Sequence, residues 1–132
     1  MALLAPLIFI FLVFPLYIVE IFLPYPYFVE ELAKFFVVYF VISYQKKARK
    51  RLEVALVSGF LFSLSETLLY FATASMMGGI NIIITRFILT SLMHCLTISL
   101  MTISLNKKNL IFLALLLSIG IHYFFNLMIM KF

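Results

Sequence analysis

Tyr27-Phe-Val-Glu-Glu-Leu-Ala-Lys-Phe-Phe-Val-Val-Tyr-Phe-Val-Ile-Ser-Tyr44 reads as a membrane span with three charges set into its first half, Glu30, Glu31 and Lys34. A carboxylate in hydrocarbon costs roughly 2.5–3.5 kcal/mol even on the lenient insertion scale. Two in succession must be offset by partners, by water or by a change of protonation. The pair is the first place to look for chemistry.

Composition carries the membrane reading to the whole chain. Of 132 residues, 66% are hydrophobic and only 11% charged, more apolar surface than a globular domain of this size can hide from water. A single cysteine, Cys95, excludes an internal disulfide. The net charge of +5 does not point to nucleic acid. Seven of the ten basic residues lie in two short stretches, Lys46, Lys47, Arg49, Lys50 and Arg51 in one and Lys107 and Lys108 in the other. That is a topology signal, with some attraction to anionic lipid.

Five apolar runs follow one another: about 2–23, 27–44, 54–77, 80–105 and 110–130. Each is near the roughly 17–25 residues that cross hydrocarbon as a helix. Pro24-Tyr25-Pro26 ends the first run, and Gly78-Gly79 reverses the chain after the third, since glycine takes the positive φ angles of tight turns. The first run lacks a basic leader and a small-residue cleavage pattern, so it reads as a retained span. The expectation is one transmembrane domain, residues 1–132, an all-α bundle of five helices. With Gln45 to Glu53 and the stretch around Lys107 on the cytoplasmic side, the N-terminus is inside and the C-terminus outside.

Four of the five acids, Glu20, Glu30, Glu31 and Glu66, fall within apolar runs. Counting about 1.5 Å per residue places Glu30, Glu31 and Lys34 in the outer half of the second span. Glu66, His94 and His122 come near the middle of the third, fourth and fifth, with Asn126 one turn beyond His122 and Arg86 two turns beyond His94. Groups on four helices thus converge on one depth, as a shared internal site requires. Glu30 and Lys34 are four apart and can pair. His122 and Asn126 project together, Ser63, Glu66, Thr67 and Tyr70 make one stripe, and Arg86, Thr90 and His94 repeat every four residues. Glu20, near the outer end of the first span, is the weakest member. Cys95 reads as packing.

The residue types suit hydrolysis. A glutamate can act as general base toward water. Glu66, His94 and His122 could be the three protein ligands of a catalytic zinc, with a fourth position for water. A metal-free route has a glutamate activating water while His122 and Asn126 donate hydrogen bonds to a developing oxyanion. Lys34 and Arg86 read as supporting counter-ions. The residues do not choose between the two routes, nor say which glutamate is the base. A proton-coupled transporter would also bury Glu, His and Lys together, although no internal inverted repeat is evident.

Glu30-Glu31-Leu-Ala-Lys34 resembles the E-E-x-x-K motif of the PrsW family, within the wider CPBP superfamily that includes the CAAX prenyl endopeptidases. Phe62-Ser-Leu-Ser-Glu66 resembles that group's F-x-x-x-E motif, Arg86 to His94 its histidine helix, and His122-Tyr-Phe-Phe-Asn126 its last H-x-x-x-N motif. The resemblance runs from about Tyr27 to Met130. It implies an intramembrane endopeptidase that hydrolyses peptide bonds of membrane-anchored proteins, with Glu30, Glu31, Glu66, His94, His122 and Asn126 forming the site. It also implies a prokaryotic cell membrane and a site toward the outer half of the bilayer. A catalytically silent scaffold of the same superfamily is the other reading. The partners expected are the lipid bilayer and a protein substrate, with no nucleic acid; the sequence says nothing of oligomeric state.

Overall fold

A computed structural model describes residues 3–129, and the side chains of all of these except 72–79 and Lys108. The elements are α1 (Leu4–Phe22), α2 (Pro26–Phe40), a 3-10 turn at Ile42–Tyr44, α3 (Ala48–Ser104) and α4 (Lys108–Ile129), with no strand among the described residues. Two prolines set the first boundary. Leu23, before Pro24, is extended at φ −113° and ψ 136°, as a residue preceding proline must be. Pro26 then opens α2 at a position whose missing N–H costs nothing.

Four helical segments are long and apolar enough to cross a membrane: Leu4–Phe22, Ala48–Phe71, Ile80–Ser104 and Asn109–Ile129. α2 has only 15 residues, about 22 Å of helix against a hydrocarbon core of about 30 Å. The run expected to continue to Tyr44 leaves the α-helix at Phe40, where Val41, Ile42 and Ser43 pass into the tighter turn. The basic stretch expected as a loop to Glu53 is helical from Ala48 onward. Ala, Arg, Lys, Leu and Glu are good helix formers, and Arg49 Nε donates to Glu53 Oε1 at 3.0 Å one turn on.

α3 is helical over 57 residues, which as a straight rod would reach about 85 Å. It doubles back instead. Ser63 Oγ and Thr90 Oγ1 are 2.9 Å apart, and Ser91 Oγ donates to Ser63 Oγ at 3.0 Å. The arms Ala48–Phe71 and Ile80–Ser104 therefore run antiparallel, side by side. The reversal expected at Gly78-Gly79 lies among residues 72–79, outside those whose side chains are described. Gly59 lets the arms close: a Cβ there would lie 2.7 Å from the Cys95 Cα. Cys95 is packed in this seam, its thiol donating to the Leu56 carbonyl at 3.3 Å.

The bundle sets a polar cluster within an apolar core and turns apolar side chains outward. Ala5, Phe9, Val13 and Leu16 of α1 form one buried stripe, with Phe9 edge-on to Phe62 at 6.1 Å. Glu31, Lys34, Ser63, His94, Thr97 and His122 are buried as well, while Phe11, Phe22, Leu68, Leu92 and Phe124 face outward. Hydrocarbon offers side chains no reason to hide apolar surface, so internal hydrogen bonds and close packing hold such helices together. α2 touches α1, α3 and α4. That central place is what makes its charges a meeting point.

Candidate active site

Lys34 is the hub. Pairing at i,i+3 and i,i+4 on α2 brings its Nζ to 2.7 Å from Glu31 Oε1 and 2.6 Å from Glu30 Oε1. The third contact crosses to α3, where His94 Nδ1 lies 2.7 Å away. These three use all three ammonium protons. The side chain has no exposed surface, and its Nζ stands 4.6 Å from the centre of the Phe62 ring.

An ammonium only donates, which settles the His94 tautomer. Nδ1 accepts from Lys34, so the ring proton is on Nε2 and is donated to Glu66 Oε2 at 2.7 Å. Both nitrogens of His94 are thereby engaged. His122, from α4, donates Nδ1–H to Glu31 Oε1 at 2.9 Å, and its Nε2 has no hydrogen-bond partner among the described residues. The two rings stand nearly perpendicular with centroids 5.7 Å apart. Glu31 Oε2 is buried and has no hydrogen-bond partner among the described residues. A buried orphan oxygen costs about 1–3 kcal/mol or more, so it marks a place that a proton, water or cation would satisfy.

Beside the hub lies a small pocket of about 20 Å³, room for roughly one water. Glu20, Glu30, Glu66, Tyr17 and Tyr70 line it, with Phe62 and aliphatic side chains of α1 and α3. Glu20, the weakest member on sequence grounds, therefore shares a wall with two of the central carboxylates. Tyr17 belongs to the same wall and had no signal in the sequence beyond its place one turn from Glu20. Its ring meets that of Tyr70 edge-on at 5.6 Å.

The other expected residues are placed less centrally. Asn126 is half-buried, and no hydrogen bond joins it to the cluster among the described residues. The Arg86 guanidinium lies over the Tyr70 ring at 5.6 Å, with no ion pair to a described carboxylate. Donor atoms converge in two groups, Glu30, Glu31 and His122, and Glu30, Glu66 and His94, each within 4.8 Å. The expected trio Glu66, His94 and His122 is thus divided between them, and Glu30 belongs to both. Three carboxylates against one ammonium leave two negative charges when both imidazoles are neutral. In a medium of low dielectric that excess needs a cation or protons.

No curated protein and no solved structure matches the chain. The family model described as PrsW family intramembrane metalloprotease matches residues 16–132. The match begins inside α1 and takes in every residue of the Lys34 network. Together with four apolar helices of spanning length, it makes this an integral membrane protein with the features of a protease. The chain belongs to the PrsW family of intramembrane metalloproteases.

Proposed function

We propose that the chain is an intramembrane endopeptidase that cuts membrane-anchored proteins, with Glu30 as the base that activates water. The carrying observation is the Lys34 hub, which gathers Glu30, Glu31, Glu66, His94 and His122 from three helices beside a pocket with room for a water. Glu30 lines that pocket, whereas Glu31 is fully buried and held by Lys34 and His122. Glu30 accepts a proton from water as the water attacks the peptide carbonyl. Glu31 orients His122 through Nδ1, keeping Nε2 free for a ligand or a developing oxyanion. Glu66 and Lys34 together fix the His94 ring.

A divalent metal fits these residues. Carboxylate oxygen and imidazole nitrogen are zinc's usual donors, three carboxylates face one ammonium, and the Glu31 Oε2 orphan supplies a further donor. Glu31 with His122, or Glu66 with His94, would hold the ion, and Glu30, common to both groups, would then be its ligand rather than the base. Bound there, it would polarise water and the substrate carbonyl.

The wider proposal is a five-span bundle of the CPBP superfamily in a prokaryotic cell membrane, with α2 as the short central helix. Arg51 Nη2 donates to Asn106 Oδ1 at 2.7 Å, so the two basic stretches share one end of the bundle. By the positive-inside rule that end is cytoplasmic, which puts Glu30, one turn into α2, toward the outer half.

The test offers a single-span peptide to purified protein in lipid, beside Glu30→Gln, Glu31→Gln and His122→Ala. Wild type cleaves and the variants do not. Equal cleavage by wild type and Glu30→Gln would sink the assignment of the base. Undiminished cleavage after exhaustive chelation would remove the metal.

A further inference from the structure

Lys34 occupies donor atoms from both groups of residues that could hold a metal ion. Its Nζ is 2.6 Å from Glu30 Oε1, 2.7 Å from Glu31 Oε1 and 2.7 Å from His94 Nδ1. Two carboxylate oxygens and one imidazole nitrogen are the donors a zinc ion takes. Glu30, the closest of them, belongs to both convergent groups of ligating residues. The ammonium and a divalent ion cannot use these atoms together. His94 Nδ1 has one lone pair and serves one cation, and at the shared carboxylates the two positive charges would stand within a few ångströms of each other in a medium that screens poorly.

We infer that Lys34 is a resident competitor for the metal, a built-in cation that holds Glu30, Glu31 and His94 together and withdraws when the metal's ligand set closes. The inference rests on the metal reading given above. Without any cation, Glu30 and Glu31 of α2 and Glu66 of α3 would repel one another and open the bundle around α2. The lysine prevents this, because its ammonium satisfies three partners at once with no exposed surface. Its flexible four-carbon stem gives it a way out that the shorter, bonded glutamates lack. The consequence is quantitative. Apparent metal affinity falls by the fraction of molecules in which Lys34 has withdrawn.

The experiment uses the full chain in lipid nanodiscs, stripped of metal by exhaustive chelation and titrated with zinc by calorimetry. Lys34→Met removes the ammonium and keeps an unbranched apolar side chain; Lys34→Arg keeps the charge. Lys34→Met is expected to bind zinc about tenfold or more tighter than wild type, and Lys34→Arg no tighter. Folded Lys34→Met that binds equally or more weakly overturns the inference while leaving the metal reading intact. Zinc binding by neither wild type nor Lys34→Met overturns both. Should Lys34→Met not fold, wild type labelled with 15N-lysine decides the matter. The Lys34 Nζ resonance, identified by its absence in Lys34→Arg, is expected to shift in step with zinc occupancy. A resonance unmoved at saturation overturns the inference.

Discussion

Replacing Gly59 by alanine tests whether the close seam between the arms of α3 positions the site. The added Cβ would lie 2.7 Å from the Cys95 Cα, 2.8 Å from its N and 3.0 Å from the His94 carbonyl carbon. Carbon atoms rest at about 3.5–4.0 Å, so the Ile80–Ser104 arm must retreat by on the order of 0.8 Å. All three contacts are backbone, and no side-chain rotation relieves them. Overpacking of this kind costs about 1–3 kcal/mol. The same retreat carries His94, whose bonds to Lys34 and Glu66 are each 2.7 Å, to near the limit of hydrogen bonding. Displacement approaching 1 Å in a catalytic array can lower turnover by about a hundredfold. Two readouts serve: unfolding by steric trapping in bicelles, and kcat on the single-span peptide. Gly120→Ala is the control, because a Cβ there meets nothing within 4 Å, and its stability should stay within about 0.5 kcal/mol of wild type. Cys95→Ala should not rescue Gly59→Ala, since the Cys95 side chain is not what the Cβ meets. A Gly59→Ala protein as stable and as active as wild type would refute the reasoning.

Three further outcomes are expected. Ser63→Ala removes the hydroxyl shared by Thr90 and Ser91 and should destabilise the bundle by about 0.6 kcal/mol, and not above about 1.7, in the same steric-trapping assay; a larger loss would mean that the hydroxyls do more than join the arms. His122→Ala leaves Glu31 a partner short and removes a ligand from one of the two convergent groups, so it should abolish cleavage and weaken zinc binding, whereas Asn126→Ala should keep zinc binding; calorimetry on the pair checks the ranking, and equal losses would contradict it. Glu20→Leu fills the small pocket with an apolar side chain and should lower kcat by about tenfold or more by excluding water, while Glu20→Gln, which stays polar, should lower it less. Steady-state kinetics on the two variants would show the opposite order if the pocket were not the water's place.

Much of the polar cluster was legible because charge in hydrocarbon is costly enough to announce itself. Glu30, Glu31 and Lys34 stood out in Tyr27 to Tyr44, and the four-residue spacing of Glu30 and Lys34 was enough to predict their ion pair, while the Glu31–Lys34 pair emerged from the structure. Glu66, His94 and His122 were found the same way, each as the polar exception in an apolar run. Run length alone picked out five spans, of which four are long and apolar enough to cross a membrane, while the second holds the shorter α2. What failed to show was where α2 stops. Val41, Ile42 and Ser43 are as apolar or as tolerated as what precedes them, and hydropathy is blind to a change from α-helix to 3-10 turn. Glu20 was undervalued because depth counting treats it as interfacial, whereas the packing of α1 against α3 sets it beside Glu30 and Glu66.

Composition and spacing by themselves determined that the chain is a helical membrane protein, which residues are too costly to be idle, and which of them share a helix face. These are local properties, since the hydropathy of a run and the 3.6-residue period belong to the chain before it folds. Only the tertiary structure decided that Lys34 is the centre, that both nitrogens of His94 are engaged, and that among the described residues His122 Nε2 has no partner and Asn126 and Arg86 lie outside the network. Those distinctions depend on distances between helices of under 3 Å. They are set by packing, above all by Gly59 against Cys95 and by α2 lying among the other helices, and no pattern along a single helix encodes them.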